Sequence, residues 1–237
     1  MKKLFLAIIA MGSIAPVKAQ APKDGSILIY GNIGFSSSKT KDDPGTAGAT
    51  VAESKESSFN INPGIGYQFN RNWTAGLNIG YSTGKNEDAD ATVGTVKTTD
   101  LAIGPFIRHT HILSNTFFIF NQLNLNYLSG KDRLELPAPA PDFENTYKGF
   151  GANWFPAIGI SVNNTVALNF QFGGLSYENV DWDIDASQQT IETSGFDFTF
   201  GQQASIGISV NLGGRKMRTT MEPGTDRRID TTDDNDE

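Results

Sequence analysis

Apolar and polar residues alternate strictly over long stretches of this chain. From Phe59 to Phe69 the odd-numbered positions are apolar, and the even-numbered positions are asparagine, glycine or glutamine. After Asn70 to Asn72 the same alternation resumes at Trp73 and continues to Ser82. A period of two residues is typical of β-strands with one apolar face. The two segments therefore predict an antiparallel hairpin with a tight turn.

The same pattern predicts eight strands, at residues 26–36, 59–69, 73–82, 99–110, 116–128, 149–162, 166–177 and 195–212. The connections between them alternate in length. Short ones are expected at 70–72, 111–115 and 163–165, and long, charge-rich ones at 37–56, 84–96, 129–148 and 178–194. An even number of strands, with short turns at one end and longer connections at the other, is the layout of a bacterial outer-membrane barrel.

The distribution of charge indicates which face of the strands meets lipid. Residues 149–177 contain no charged side chain, and 59–82 contain only Arg71, in a turn. A water-facing strand surface normally carries charges, whereas amides and small residues suit the narrow interior of an eight-stranded barrel. We therefore predict an all-β fold: an eight-stranded antiparallel up-and-down transmembrane β-barrel with its apolar face outward.

The alternation also assigns side chains to the two faces. The predicted polar network of the lumen consists of Asn60, Asn62, Gln68, Asn78, Arg108, Gln122, Asn124, Asn126, Asn153, Asn169 and Gln171. The predicted aromatic girdle consists of Tyr67, Phe69, Trp73, Tyr81, Phe117 and Tyr127. Buried Arg108 needs hydrogen-bond partners, and amides or water are expected because Asp100 and Asp197 lie toward the long connections.

Two positions do not fit the alternation. Asn121 falls on the apolar face, in phase with Ile119 and Leu123. The adjacent Gln202 and Gln203 would place one amide toward lipid unless a β-bulge near Gly201 shifts the register.

The chain ends carry targeting and tail features. Lys2 and Lys3 precede an apolar run at 4–14, and small residues lead to Ala19, which together predict a signal peptide at residues 1–19 with cleavage after Ala19 or Gln20. The run is too short for a membrane-spanning helix. We assign residues 20–212 to the barrel and 213–237 to a polar, disordered periplasmic tail. The predicted location is the cell outer membrane, after secretion across the inner membrane.

Composition narrows the chemistry. A net charge of −7 and a pI near 4.9 disfavour nucleic-acid binding, and the absence of cysteine removes disulfides and thiolate sites. The two histidines, His109 and His111, could share one face of a strand, but no third metal ligand follows nearby. We predict packing at the membrane interface for both, and no catalytic, cofactor-binding or metal site.

Residues 104–108 (GPFIR) and 172–177 (FGGLSY) resemble recurring strand sequences of the outer membrane protein β-barrel domain family common in Bacteroidota. The resemblance spans residues 26–212, and the signal peptide ending in Ala19 and Gln20 is similar to that group's as well. It implies a small OmpA/OmpX-like eight-stranded barrel without catalytic residues. Many barrels end on an aromatic residue that the assembly machinery reads, whereas residues 213–237 follow the last strand here, so the folding signal would be internal, at 206–212.

Three functions remain open. The first is a non-enzymatic barrel with a structural or surface-interaction role, such as adhesion or binding, through four long extracellular loops. The alternatives are a narrow porin-like channel for small solutes, which the tight lumen disfavours, and a lipid A-modifying barrel enzyme, which would need catalytic residues near the long connections. The expected partners are outer-membrane lipids and lipopolysaccharide, the barrel assembly machinery and an unidentified extracellular ligand.

Overall fold

A computed structural model describes residues 24–42, 52–88, 94–184 and 189–213. Within these ranges the chain is all-β and antiparallel, as predicted, and no helix long and apolar enough to cross a bilayer is present. The predicted signal peptide, and the predicted tail beyond Gly213, lie outside the described residues. The strands are β1 Ser26–Gly31, β2 Ile33–Asp42, β3 Ala52–Ile61, β4 Gly64–Gln68, β5 Trp73–Glu87, β6 Thr95–Ile112, β7 Phe117–Glu135, β8 Phe143–Ser161, β9 Val166–Ile184 and β10 Gln189–Gly213.

The strand pairings return to their starting point. The sheet order includes β5-β4-β1-β10-β9-β8-β7-β6, and β6 pairs in turn with β5. In such a closed circuit each member strand has a neighbour on both sides over at least part of its length, and that part presents no free edge. β2 and β3 continue the wall beyond β1 and β4, with β3 paired to β5.

The described residues form ten strands where the sequence pattern predicts eight, because two predicted strands are interrupted. Asn32 separates β1 from β2, and Asn62 and Pro63 separate β3 from β4. Proline has no N–H to donate to a ladder, so it interrupts pairing. The register nevertheless passes through the break, from Tyr30 opposite Gly64 to Ile33 opposite Ile61. β1 with β2, and β3 with β4, therefore run as continuous lines.

The three short turns share one local device. In each, a side-chain oxygen accepts the main-chain N–H groups two and three residues further along the chain. The accepting residues are Asn70, Ser114 and Asn163, with distances between 2.8 and 3.2 Å. These turns define what we call the short-turn end of the sheet, and they fall where the sequence predicts them.

The long connections are much shorter than predicted. Of the predicted connection at 129–148, only residues 136–142 lie between β7 and β8. Charged residues continue the strands because they pair across them: Lys131 Nζ lies 3.2 Å from Glu144, and Arg133 Nη2 lies 2.8 Å from Asp142. Sequence hydropathy misses these extensions because the stabilising partner sits on another strand. We call β2–β3, β5–β6, β7–β8 and β9–β10 the long hairpins.

Side chains alternate between an enclosed interior and an exposed outer face. Along β7, Phe118, Phe120 and Gln122 are buried, whereas the intervening residues are exposed. The outer face carries a continuous set of exposed apolar residues, which we call the outer belt: Ile27, Ile29, Ile65, Leu77, Ile79, Leu101, Ile103, Ile107, Ile119, Leu123, Leu125, Trp154, Ile158, Ile206, Ile208 and Leu212.

Candidate functional site

The interior near the short-turn end is filled by aromatic rings that the sequence analysis did not assign to the lumen. Phe106, Phe118, Phe120 and Phe155 are all buried, and Tyr30 meets Phe106 edge to face at 5.1 Å between ring centroids. We call these five residues the aromatic layer. The sequence does carry a signal for their interior position, because Phe118 and Phe120 fall on the same alternating positions of β7 as the lumenal Gln122.

Glycines on neighbouring strands make room for these rings. A Cβ atom on Gly64 would lie 2.3 Å from Cζ of Tyr30, and one on Gly159 would lie 2.0 Å from Cζ of Phe118. Gly66 stands in the same relation to Phe106, at 2.7 Å. Real Cβ atoms do not approach other heavy atoms so closely, so each ring occupies the space of a missing side chain. The glycines of the lumenal face are therefore part of the packing.

Arg108 sits on the aromatic layer with only 4% of its surface exposed. Its Nε donates a 2.7 Å hydrogen bond to Oε1 of Gln122. Nε2 of Gln122 donates in turn to the hydroxyl of Tyr30 and to Oδ1 of Asn124, each at 2.7 Å. The prediction that Arg108 finds an amide partner rather than a carboxylate is confirmed by this contact.

The positive charge of Arg108 is stabilised by contact with aromatic rings rather than by an anion. Its Cζ lies 4.1 Å from the ring centroid of Phe120 and 4.5 Å from that of Tyr30, within the range of a cation–π contact. Among the described residues, no carboxylate forms a salt bridge with Arg108 and neither Nη nitrogen makes a hydrogen bond. The guanidinium therefore retains donors that an acceptor could use.

A cavity of about 350 Å³ opens directly above this layer, and Arg108 forms part of its lining. Nine of the eleven residues predicted for the lumenal network line it: Asn62, Asn78, Arg108, Gln122, Asn124, Asn126, Asn153, Asn169 and Gln171. Asn78 Nδ2 donates to Asn126 Oδ1 at 3.1 Å, while Oδ1 of Asn78 is buried without a partner in the described structure. The remaining two predicted residues do not line the cavity. Nε2 of Gln68 donates a hydrogen bond to the backbone oxygen of Arg71 in the short turn, and Oδ1 of Asn60 accepts one from Nδ2 of Asn62.

Above the cavity the interior becomes acidic. Asp100 accepts hydrogen bonds from Ser82 Oγ and from the Tyr147 hydroxyl, each 2.8 Å long. Burial, together with the nearby charge of Asp100, raises the pKa of Asp132. Glu178 and Asp197 share the interior phase of the long hairpins, as the pairing register indicates. We call these four acidic residues the acidic mouth.

The basic residues of the long hairpins take the opposite phase. Lys85, Lys97, Lys131 and Lys148 follow the outer-face alternation set by the exposed residues Tyr81, Leu101, Tyr127 and Phe150. Among the described residues, Arg108 is therefore the single cation with interior phase. The described inner surface of the long hairpins thus carries acidic residues without cations, whereas the outer surface carries lysines paired with glutamates such as Glu87 and Glu135.

The six predicted girdle residues are all exposed, with Tyr67 at 56% and Trp73 at 38% as the extremes. His109 lies on the same outer face near the short-turn end, where its ring is 4.6 Å from that of Trp73. Asn121 pairs with His109 across the strands and is exposed, so the anomaly at this position persists. No group of three or more potential metal-ligating residues occurs in the described part of the chain.

The register of β10 is irregular near the two adjacent glutamines. The pairing of β10 with β9 shifts between Phe200 and Ser205, and Gly201 has a positive φ of 78°. A bulge near Gly201, the condition that the sequence analysis named for Gln202 and Gln203, is therefore present.

Comparison with known proteins identifies no family: no protein-family model matches the sequence, and no curated protein sequence is significantly similar to it. Two solved structures share a general likeness. The outer membrane protein OprG from Pseudomonas aeruginosa has a TM-score of 0.44 and 14% identity, covering 84% of this chain and 100% of its own. The translocator domain of the autotransporter NalP from Neisseria meningitidis has a TM-score of 0.39 and 15% identity, covering 90% of this chain and 75% of its own.

Proposed function

We propose that this chain is a non-enzymatic outer-membrane protein whose sheet forms an eight-stranded, up-and-down transmembrane β-barrel. The observation that carries the proposal is the inversion of the usual burial pattern. The exposed face is a belt of large apolar residues, whereas the most completely buried large side chain is Gln122, at 1% exposure. A hydrocarbon environment favours an apolar exterior and a closed hydrogen-bonding circuit, because unpaired backbone groups in lipid cost several kcal/mol each. The eight strands follow if β1–β2 and β3–β4 each count as one.

Strand lengths support the same orientation in the membrane. On β7 the exposed aromatic and aliphatic residues run from Phe117 to Tyr127, and a transmembrane β-strand needs about 9–11 residues. β7 has 19 residues, so its second half projects beyond that zone into the long hairpins. We assign the long hairpins to the extracellular side, where outer-membrane barrels carry their longer connections.

The filled lumen favours a structural or surface-interaction role over a channel. The aromatic layer and Arg108 occupy the interior near the short-turn end, where an open channel would have to pass. The long hairpins offer the largest accessible polar surface, and binding or adhesion through them is the role we favour. A lipid A-modifying activity finds less support, because both histidines lie near the short turns on the outer face.

The outer-phase lysines of the long hairpins suit contact with the outer leaflet. Lys131 lies four residues beyond Tyr127 on the same strand face, and Lys85 stands in the same relation to Tyr81. Each is thus about 13 Å past its aromatic residue, from a rise of about 3.3 Å per residue. Although Lys131 and Lys85 are ion-paired with Glu144 and Glu87, their ammonium groups lie where phosphates of lipopolysaccharide could compete for them.

A pair of lysine substitutions tests the membrane placement. Leu77 lies in the middle of the outer belt and is 58% exposed, while Ile191, in a long hairpin, is 49% exposed. In a barrel that spans a bilayer, Leu77→Lys should destabilise folding in vesicles by about 2–4 kcal/mol. The change Ile191→Lys, at an exposed position of interior phase beyond the outer belt, should alter it by less than about 0.5 kcal/mol. Equal, small effects from both would refute the transmembrane assignment.

Conductance across a planar bilayer tests the closed lumen. The wild-type protein should give no steady unit conductance, because the aromatic layer blocks the path. Outer-membrane fractionation and heat-modifiable gel mobility establish that the same preparation is folded. A folded protein with a reproducible open state would favour the channel alternative instead.

A further inference from the structure

The closed circuit has one unpaired section in its wall. β1 pairs with β10 from Ser26 opposite Gly213 to Gly31 opposite Ile208. Above that point β2 pairs only with β3, and β10 pairs only with β9, within the described residues. We call this interval between β2 and the upper part of β10 the lateral gap. It begins beside the bulge that shifts the register between Phe200 and Ser205.

The lateral gap starts at the level of the lipid-facing residues. On β2 it is flanked by Ile33 and Phe35, which are 69% and 75% exposed. On β10 it is flanked by Phe196, Phe198 and Phe200, which are between 62% and 70% exposed. These side chains are among the most exposed large apolar residues of the described chain. The side chains that flank the gap are therefore suited to contact alkyl chains rather than water.

The lumenal cavity extends to the base of this gap. Its lining includes Gly31, in the last pair between β1 and β10, and Gly207 and Ser205, which come next along the unpaired edge of β10. Arg108 and Gln122 line the same cavity. One continuous space thus joins a cation on the aromatic layer to an apolar opening in the wall. Its volume, about 350 Å³, falls at the lower end of small-molecule sites.

The two ends of this space differ in chemistry. Arg108 offers Nη donors without an anion, and a carboxylate is the planar acceptor that a guanidinium pairs with best. The acidic mouth lies above the cavity, so a free anion arriving from the external solution would meet Asp100 and Asp132 first. An anion attached to an apolar chain can avoid that region by entering sideways from lipid.

We propose that the cavity binds a single-chain anionic amphiphile, with its carboxylate at Arg108 and its alkyl chain leaving through the lateral gap into the outer leaflet. This inference rests on the proposed membrane location. It assigns a ligand class to the lumen of a barrel that does not conduct. Ser205 and Gly207 would lie beside the chain where it leaves the cavity, and Phe35 and Phe198 would contact it outside.

The test uses dodecanoate labelled with ¹³C at the carboxyl carbon and the full-length protein in lipid nanodiscs. Wild-type protein should give a bound carboxylate resonance distinct from that of dodecanoate dissolved in the lipid. Arg108→Gln should weaken the apparent affinity by about 10-fold or more, the loss expected for a charge-assisted hydrogen bond. Ser205→Trp should fill the exit without touching Arg108 and should abolish the bound signal. Ile208→Trp, on the outer face of the same strand, is the matched control and should leave binding unchanged.

Three outcomes would overturn the proposal. One is a bound signal that neither Arg108→Gln nor Ser205→Trp reduces, which would indicate adsorption to the outer belt. A second is equal displacement by dodecyltrimethylammonium, whose cationic head has no affinity for Arg108. The third is acetate binding as tightly as dodecanoate, which would make the chain and the gap irrelevant. Heat-modifiable mobility of every variant keeps these results separate from a failure of the barrel assignment, and Ser205→Trp remains decisive should Arg108→Gln not fold.

Discussion

Gln122→Leu tests whether hydrogen bonding in the lumen stabilises the fold. The substitution nearly preserves side-chain volume but removes three hydrogen bonds of 2.7 Å, to Arg108, Tyr30 and Asn124. A hydrogen bond to a charged group contributes about 1.5–3 kcal/mol, and each neutral one about 0.5–1.5 kcal/mol. Water in the adjoining cavity can replace the bonds to Tyr30 and Asn124, so the contact with Arg108 dominates. We expect a loss of about 2–3 kcal/mol in the free energy of unfolding.

The measurement is equilibrium unfolding in phospholipid vesicles, with the folded fraction read from the gel mobility of unboiled samples. Gln171→Leu is the matched control, because Gln171 lines the same cavity and its side chain makes no hydrogen bond in the described structure. That control should change stability by less than about 0.5 kcal/mol. Gln122→Glu keeps an acceptor for Arg108 and should retain most of the stability. If the two leucine variants are equally stable, the hydrogen bonds of Gln122 do not stabilise the fold.

Three further predictions follow from the packing, the charges and the pairing. Gly64→Ala should destabilise the protein by about 1–3 kcal/mol, since its Cβ would overlap the ring of Tyr30, whereas Gly195→Ala, with no atom nearer than 3.7 Å, should not. Burial and the charge of Asp100 raise the pKa of Asp132, so its ionised carboxylate lowers the free energy of unfolding once the pH rises above the ordinary pKa of about 3.9. Asp132→Asn should therefore stabilise the protein at pH 7 and not at pH 3 in urea titrations, and a gain at both pH values would contradict this. Amides of β2 should exchange hydrogen faster than those of β7, which is paired on both sides; equal protection would show that the lateral gap is closed in solution.

The sequence predicts the fold class and the short turns because both depend on local rules. Alternation fixes the two faces, and an asparagine or serine oxygen that accepts its neighbours' N–H groups fixes each turn at Asn70, Ser114 and Asn163. The adjacent Gln202 and Gln203 also indicated where regular alternation would need a bulge, because two neighbouring residues cannot both face the lumen in a regular strand. These features need no knowledge of which strand lies opposite.

The remaining features depend on partners from other strands. Lys131 and Glu144 extend a hairpin only because the register places them diagonally across the two strands, with Lys131 opposite Thr146 and Glu144 opposite Arg133. Phe118 and Phe120 fill the lumen only because glycines such as Gly159 leave space opposite them. The lateral gap is a property of two strands that fail to meet, and no pattern within either strand signals it. For the same reason, the interior phase of Phe118 was visible in the sequence, but its role as packing was not.

The two halves of the sheet are stabilised in different ways, and this difference bears on function. Near the short turns the interior is filled, with Gln68, Thr74 and Phe120 each at 2% exposure, and the strands of the circuit are paired on both sides. In the long hairpins the ladders continue, but many side-chain contacts are exposed ion pairs such as Lys97 with Glu135, which contribute about 0–1 kcal/mol each. Substitutions of these paired residues in the long hairpins should therefore change the free energy of unfolding only slightly. A rigid lower half that tolerates variation above it is the arrangement expected of the scaffold that we propose.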